Sequence, residues 1–108
     1  MKNNMTLDDY INKYHTLREM PPLCIFSVLE KNNERILWID PDAYRKNSFC
    51  IVVNKNREVT DELTFKELYN NIDNYLKNGW IEDKDFFIHK DIKTWIKDFT
   101  NSYGISIT

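Results

Sequence analysis

Glycine is nearly absent from this chain of 108 residues, which contains only Gly79 and Gly104. Phosphate-binding loops and dinucleotide-binding turns need several glycines at fixed spacing, because their backbone approaches the ligand closely or adopts positive φ angles. A nucleophile elbow of the G-x-S-x-G type cannot be written with these two residues either. The scarcity of glycine therefore excludes several large enzyme classes, and we expect both glycines to end helices.

The chain also lacks an excess of either charge, since 15 basic residues face 17 acidic ones and leave a net charge of -2. This balance provides no positive surface for a phosphate backbone, so we expect no nucleic-acid partner. No apolar run approaches the roughly 18 residues that can span a bilayer. The polar N-terminal segment has no apolar core of the kind that a secretory signal requires. We therefore expect a cytoplasmic protein with no membrane contact.

Cysteine and histidine are equally scarce, with two of each. Cys24 and Cys50 both lie in apolar runs, where a reduced thiol behaves as a small hydrophobic side chain. His15 and His89 have no cysteine or histidine partner at the short spacings typical of zinc sites. The sequence thus predicts no metal ion, no cofactor and no catalytic residues.

What the chain does contain is hydrophobic periodicity of the helical kind. Thr6 begins a first helix, with apolar residues at helical spacing over about 7–18. Thr64 and Glu67 have the spacing of a capping box, and the apolar stripe that follows predicts a second helix over 65–78.

A third helix carries four apolar residues on one face and ends near Gly104. Its start is left open, because the same periodicity could extend the helix back to Asp85 or allow a short strand before His89. The apolar residues of its stripe are Ile92, Trp95, Ile96 and Phe99.

Three apolar runs, at 23–29, 35–39 and 49–53, predict β-strands. Asn32-Asn33 separates the first two and tolerates the positive φ of a tight hairpin. The runs are apolar on both alternating faces, which predicts that helices or another chain cover both sides of the sheet.

The predicted fold class is α+β, as a single domain over residues 1–108. It consists of an N-terminal helix, a three-stranded antiparallel meander and two C-terminal helices. The C-terminal residues "ISIT" leave open a short extra edge strand at 105–108.

The stretch "IDPDAY" places two carboxylates around a proline where the second strand ends. In restriction-type nucleases, a Pro-Asp pair and a Glu-x-Lys pair together hold a divalent ion. Glu82 and Lys84 have that spacing but follow a predicted helix. The favoured alternative is local, with Asp40 as the N-cap and Asp42 as the first-turn acid of one helical turn.

Two segments combine aromatic and acidic residues, namely 40–44 and 78–87. Aromatic side chains anchor protein interfaces, and carboxylates steer the approach of a basic partner. The candidate partner-binding residues are Trp80, Glu82, Asp83, Asp85, Phe86, Asp40, Asp42 and Tyr44.

These features favour a small non-catalytic protein-binding module, such as an immunity or antitoxin-type inhibitor that covers the active surface of a basic toxin or nuclease. Asparagine, lysine and isoleucine, whose codons are rich in A and T, make up 36 of 108 residues and suggest a bacterial or phage accessory gene. One alternative is a small metal-dependent nuclease or phosphodiesterase that uses Asp40, Asp42, Glu82 and Lys84. Another is a self-associating module, for example a homodimer, if all three helices lie on one face of the sheet.

Overall fold

The structure, a computed structural model, describes residues 5–15, 24–40, 47–85, 87–88 and 90–107, without the side chains of Tyr14, His15 and Cys24. This part of the chain forms three helices and one antiparallel sheet, so the predicted α+β class is confirmed. In chain order, the elements are α1 (Leu7–His15), β1 (Cys24–Lys31), β2 (Glu34–Asp40), β3 (Phe49–Val53), β4 (Val59–Leu63), α2 (Phe65–Lys77), β5 (Ile81–Glu82) and α3 (Ile92–Tyr103).

The predicted meander forms the centre of the sheet. In the described part of the chain, the strand order is β4-β3-β2-β1-β5, and each neighbouring pair is antiparallel. The hairpin between β1 and β2 turns at Asn32, which has a φ of 53°. The expectation of a tight asparagine turn with positive φ is therefore confirmed.

The two edge strands were not predicted. The middle of β4 is polar and exposed, and a register shift opposite Val52 and Val53 breaks its apolar alternation. β5 contains only two residues, which is too short for a periodic pattern to mark. The extra edge strand left open at the C-terminus is not formed by residues 105–107, and Thr108 lies outside the described residues.

Side chains of the central strands alternate between two cores, one on each face of the sheet. The core beneath α2 and α3 contains Val28, Leu29, Ile36, Trp38, Cys50, Val52, Leu63, Phe65, Leu68, Ile72, Ile92, Ile96 and Phe99. The core beneath α1 contains Leu7, Tyr10, Leu37, Ile39, Ile51 and Val53. Helices therefore cover both faces, as predicted. Because α1 lies opposite the other two, the arrangement on which the self-association alternative depended, three helices on one face, is wrong.

The starts of α1 and α2 are fixed by matching reciprocal caps. The backbone N–H of Thr6 donates to Asp9 at 2.8 Å, and the N–H of Asp9 donates to the Thr6 hydroxyl at 3.2 Å. Thr64 and Glu67 exchange the same two bonds at 3.0 and 3.1 Å. Each pair satisfies two N–H groups that the first helical turn leaves without partners. The predicted end of the first helix, near residue 18, lies outside the described residues.

The start of α3 settles the boundary that the sequence left open. Asp91 is the N-cap, and its carboxylate accepts a hydrogen bond from the N–H of Thr94 at 2.7 Å. The helix therefore does not reach back to Asp85. It ends at Gly104, whose φ of 68° is left-handed, as expected of a helix stop.

The helices of the described residues are short. The longest, α2, has 13 residues, and none is both long and apolar enough to cross a membrane.

Cys50 is fully buried in the core beneath α2 and α3, and this burial raises the pKa of its thiol. Because the thiolate is the reactive form of cysteine, we expect native protein to resist labelling by a disulfide reagent at mildly alkaline pH. The measurement uses a Cys24→Ser variant, in which Cys50 is the remaining thiol. Labelling should appear only when denaturant unfolds the protein, and rapid stoichiometric labelling of the native state would contradict the buried position.

Candidate binding site

The acidic segment after α2 follows the outer edge of β1. Within it, β5 pairs with Leu29 and Glu30. The chain then continues along the same edge, where the N–H of Asp83 donates to the carbonyl oxygen of Val28 at 3.1 Å. The Asp83 carboxylate accepts a hydrogen bond from the N–H of Asp85 at 2.9 Å, which closes a local turn. The backbone bonds to Val28 and Leu29 hold Glu82 and Asp83 against the edge of the sheet.

A shallow depression of about 270 Å³ lies where this turn meets β1. Its lining includes Phe26 and Ser27 from the strand, together with Asp83 and Asp85 from the turn. We call this surface the edge site. It brings two of the eight candidate partner-binding residues together beside the ring of Phe26, which was not among those candidates.

Phe26 is a partly exposed aromatic residue on a rigid support. Its ring stacks on Trp38 with the centroids 5.2 Å apart, yet 41% of its surface remains exposed. Trp38 is itself buried, with edge contacts to Trp95 and Phe99 at 5.4 and 5.0 Å. The core therefore orients the Phe26 ring before any ligand arrives, which lowers the entropy lost on binding.

Trp80 packs against the protein core and is not fully exposed. It is half-buried, its ring makes an edge contact with Tyr75 at 5.5 Å, and it packs against the core beneath α2 and α3. Its backbone N–H donates to the carbonyl oxygen of Tyr75 at 3.0 Å. Trp80 thus packs over the end of α2, and only part of the Trp80 side chain is available to a partner.

Glu82 also has an internal partner. Its carboxylate accepts a hydrogen bond from the backbone N–H of Ile92, the first residue of α3, at 2.5 Å. A carboxylate is favoured there, because the helix start presents unpaired N–H groups and a positive dipole end. Glu82 therefore joins β5 to α3, which separates its role from those of Asp83 and Asp85.

Asp40 is buried rather than exposed, so its prediction as a partner-binding residue does not match its position. Only 2% of its surface is accessible, and the Ser48 hydroxyl donates to its carboxylate at 3.4 Å. Asp40 ends β2, and the helical turn predicted to follow it lies outside the described residues. Three other candidate partner-binding residues also lie outside the described residues, namely Asp42, Tyr44 and Phe86.

Two carboxylates required by the metal-dependent alternative, those of Asp40 and Glu82, lie far apart, and Asp42 lies outside the described residues. Asp40 is paired with Cys24, whereas Glu82 is paired with Leu29. Five residues of extended strand separate these positions by roughly 15 Å, too far for one divalent ion. Among the residues that the structure describes, no group of three or more histidine, cysteine, aspartate or glutamate side chains is placed to hold a metal ion.

The exposure of Phe26 could not be predicted from the sequence, because its run, "LCIFSVL", has no polar alternation. In such a run, a side chain at the sheet edge cannot be told from one at the centre. The only available signal was the polar Ser27 beside it, which is compatible with an exposed edge but does not require one.

Comparison of the chain with protein-family models, with curated proteins and with solved structures found no match in any of the three.

We expect the acidic residues of this segment to differ in their effect on stability. Glu82→Ala should lower the free energy of unfolding by about 1 kcal/mol or more, because the N–H of Ile92 loses its partner. Asp85→Ala should change it by less than about 0.5 kcal/mol, since the Asp85 side chain is exposed. Urea denaturation of the two variants measures both values. Equal effects would show that Glu82 does not support α3.

Proposed function

We propose that this chain is a non-catalytic binding module that receives a basic side chain of a protein partner at the edge site. The observation that carries the proposal is the depression shared by Phe26, Asp83 and Asp85. An aromatic ring and two carboxylates around one concave surface form a chemical environment suited to arginine or lysine.

The interaction has two physical components. A cation above an aromatic ring is attracted by the ring quadrupole, by about 0.5–1 kcal/mol at exposed sites and about 2 kcal/mol when water is excluded. Hydrogen bonds between a guanidinium or ammonium group and a carboxylate are shorter and stronger than neutral ones. Arginine satisfies both components best, because its planar group can stack on Phe26 while its edge donates to Asp83 or Asp85.

Charge near the edge site also bears on how strong the interaction can be. Lys84 lies between the two aspartates in sequence and is exposed, so it offsets part of their field. We therefore expect the carboxylates to contribute mainly to orientation and to the rate of association, and the Phe26 ring to contribute contact area.

The finer form of the proposal is an inhibitor of the immunity or antitoxin type. A basic effector, such as a nuclease, carries cationic groups that normally bind phosphates, and a carboxylate pair can occupy those groups. Covering them would block the effector without any catalysis by this chain.

The test uses the full chain, tagged, to capture a partner from a lysate of the source organism. Binding of the purified partner is then measured by calorimetry. We expect Asp85→Lys to weaken binding by about tenfold or more, because repulsion replaces attraction in a partly desolvated site. Phe26→Leu, which keeps an apolar side chain but removes the ring, should weaken it several-fold. If the captured partner is an enzyme, its activity should fall in proportion to bound inhibitor.

The matched control is Asp61→Lys, which makes the same charge change on β4, at the opposite edge of the sheet. It should leave the affinity within about twofold, since its distance from the edge site exceeds the screening length at moderate salt. Unchanged binding in both Asp85→Lys and Phe26→Leu would contradict the edge site. Failure to capture any stoichiometric partner would contradict the binding function itself.

A further inference from the structure

A second concave surface lies on the other face of the sheet, beside α1. It is a groove of about 380 Å³ between the start of α1, the β1–β2 hairpin and the turn from β3 to β4. Its apolar lining includes Leu7, Ile25, Leu37 and Val53. A volume of this size lies within the range that small-molecule sites occupy in proteins.

The rim of the groove is basic although the protein as a whole is slightly acidic. Arg35, Lys55 and Arg57 all line it. Within the described residues, Arg35 and Lys55 form no ion pair, whereas Arg57 contacts Asp8 at 2.9 Å through largely exposed side chains. Glu30 lies opposite Arg35 in the strand register and offsets part of its charge, but no ion pair is formed between these two described side chains. At least two cations therefore remain available to a bound anion.

The positions of these cations follow from the sheet register and the turn. Arg35 precedes Leu37 by two residues on β2 and so lies on the same face, directly opposite Val53 of β3. The turn that carries Lys55 is held by Asn54, whose side-chain oxygen accepts hydrogen bonds from the N–H groups of Asn56 and Glu58 at 2.9 and 3.0 Å. The rim is thus fixed by backbone geometry at both sides of the groove.

One polar atom beside the apolar lining is also unsatisfied. Ser27 lines the groove, and its hydroxyl oxygen is buried with no hydrogen-bond partner in the structure. Buried hydroxyl groups in folded proteins nearly always have a partner, because an unpaired one carries an energetic penalty. The Ser27 hydroxyl is thus a polar group in the groove wall that the described residues leave unsatisfied.

We propose that this groove binds a small organic carboxylate with an apolar body. The body would lie against Ile25, Leu37 and Val53, and the carboxylate would face Arg35 and Lys55. The proposal depends on the pairing of an apolar floor with an unpaired basic rim. Ser27 lines the edge site as well, but the proposal uses none of Phe26, Asp83 and Asp85.

The probes are octanoate and 3-phenylpropionate, which present an aliphatic and an aromatic body to the same groove. Each is titrated into the isotopically labelled full chain and followed by amide shifts in heteronuclear NMR. We expect saturable shifts centred on the groove residues of β1, β2 and β3. Octan-1-ol has the same apolar body as octanoate but no charge. It should bind at least about tenfold more weakly than octanoate, because it forms no charge-assisted bond with the rim.

Two variants separate the groove from general attraction of anions. The double variant Arg35→Gln, Lys55→Gln should weaken octanoate binding by about tenfold or more. Lys31→Gln removes a positive charge from the same hairpin but on the opposite face, and it should leave the affinity within about twofold. Circular dichroism of each variant checks that the fold is retained.

Three outcomes would overturn the proposal. The first is the absence of saturable shifts with both carboxylates. The second is equal binding of octanoate and octan-1-ol, which would make the groove an apolar surface without selection for anions. The third is an unchanged affinity of the double variant, which would place the anion elsewhere.

Discussion

Burial of the central strands on both faces is the constraint on which the rest of this structure depends. Successive residues of β2 and β3 point to opposite faces, so Trp38 and Cys50 enter one core while Leu37 and Ile51 enter the other. Exposure of either face to water would be unfavourable, because each face carries several large apolar side chains. The short helix α1 is therefore needed on one side, and α2 and α3 on the other. Within the described residues, the sheet and the helices on its two faces form three layers.

This three-layer arrangement moves the available surfaces to the edges of the sheet and to the margin of α1. At one edge, β4 carries exposed polar and acidic side chains, which discourage pairing with another strand. At the other edge, β5 covers only two residues of β1, and the acidic turn after it lies beside Phe26. On the α1 face, a groove lies between the start of α1, the β1–β2 hairpin and the turn from β3 to β4.

The two candidate surfaces differ in charge, although the chain is nearly neutral overall. Asp83 and Asp85 make the edge site acidic, whereas Arg35 and Lys55 make the groove basic. A net charge of -2 therefore conceals two local fields of opposite sign. The acidic turn and the basic rim also lie at different places on β1 and its neighbours, so ligands of opposite charge need not compete.

The sequence by itself determined the α+β class, the meander and the helix boundaries marked by local chemistry. Thr64 with Glu67, the turn at Asn32 and the stop at Gly104 act over a few residues, so their spacing carries the information. Only the tertiary structure decided that Glu82 supports α3, that Asp40 is buried, and that Phe26 meets Asp83 and Asp85. The first two depend on how the strands and α3 pack in three dimensions. The third depends on strand order and register, which bring together residues more than fifty positions apart, and no local pattern in the chain records that proximity.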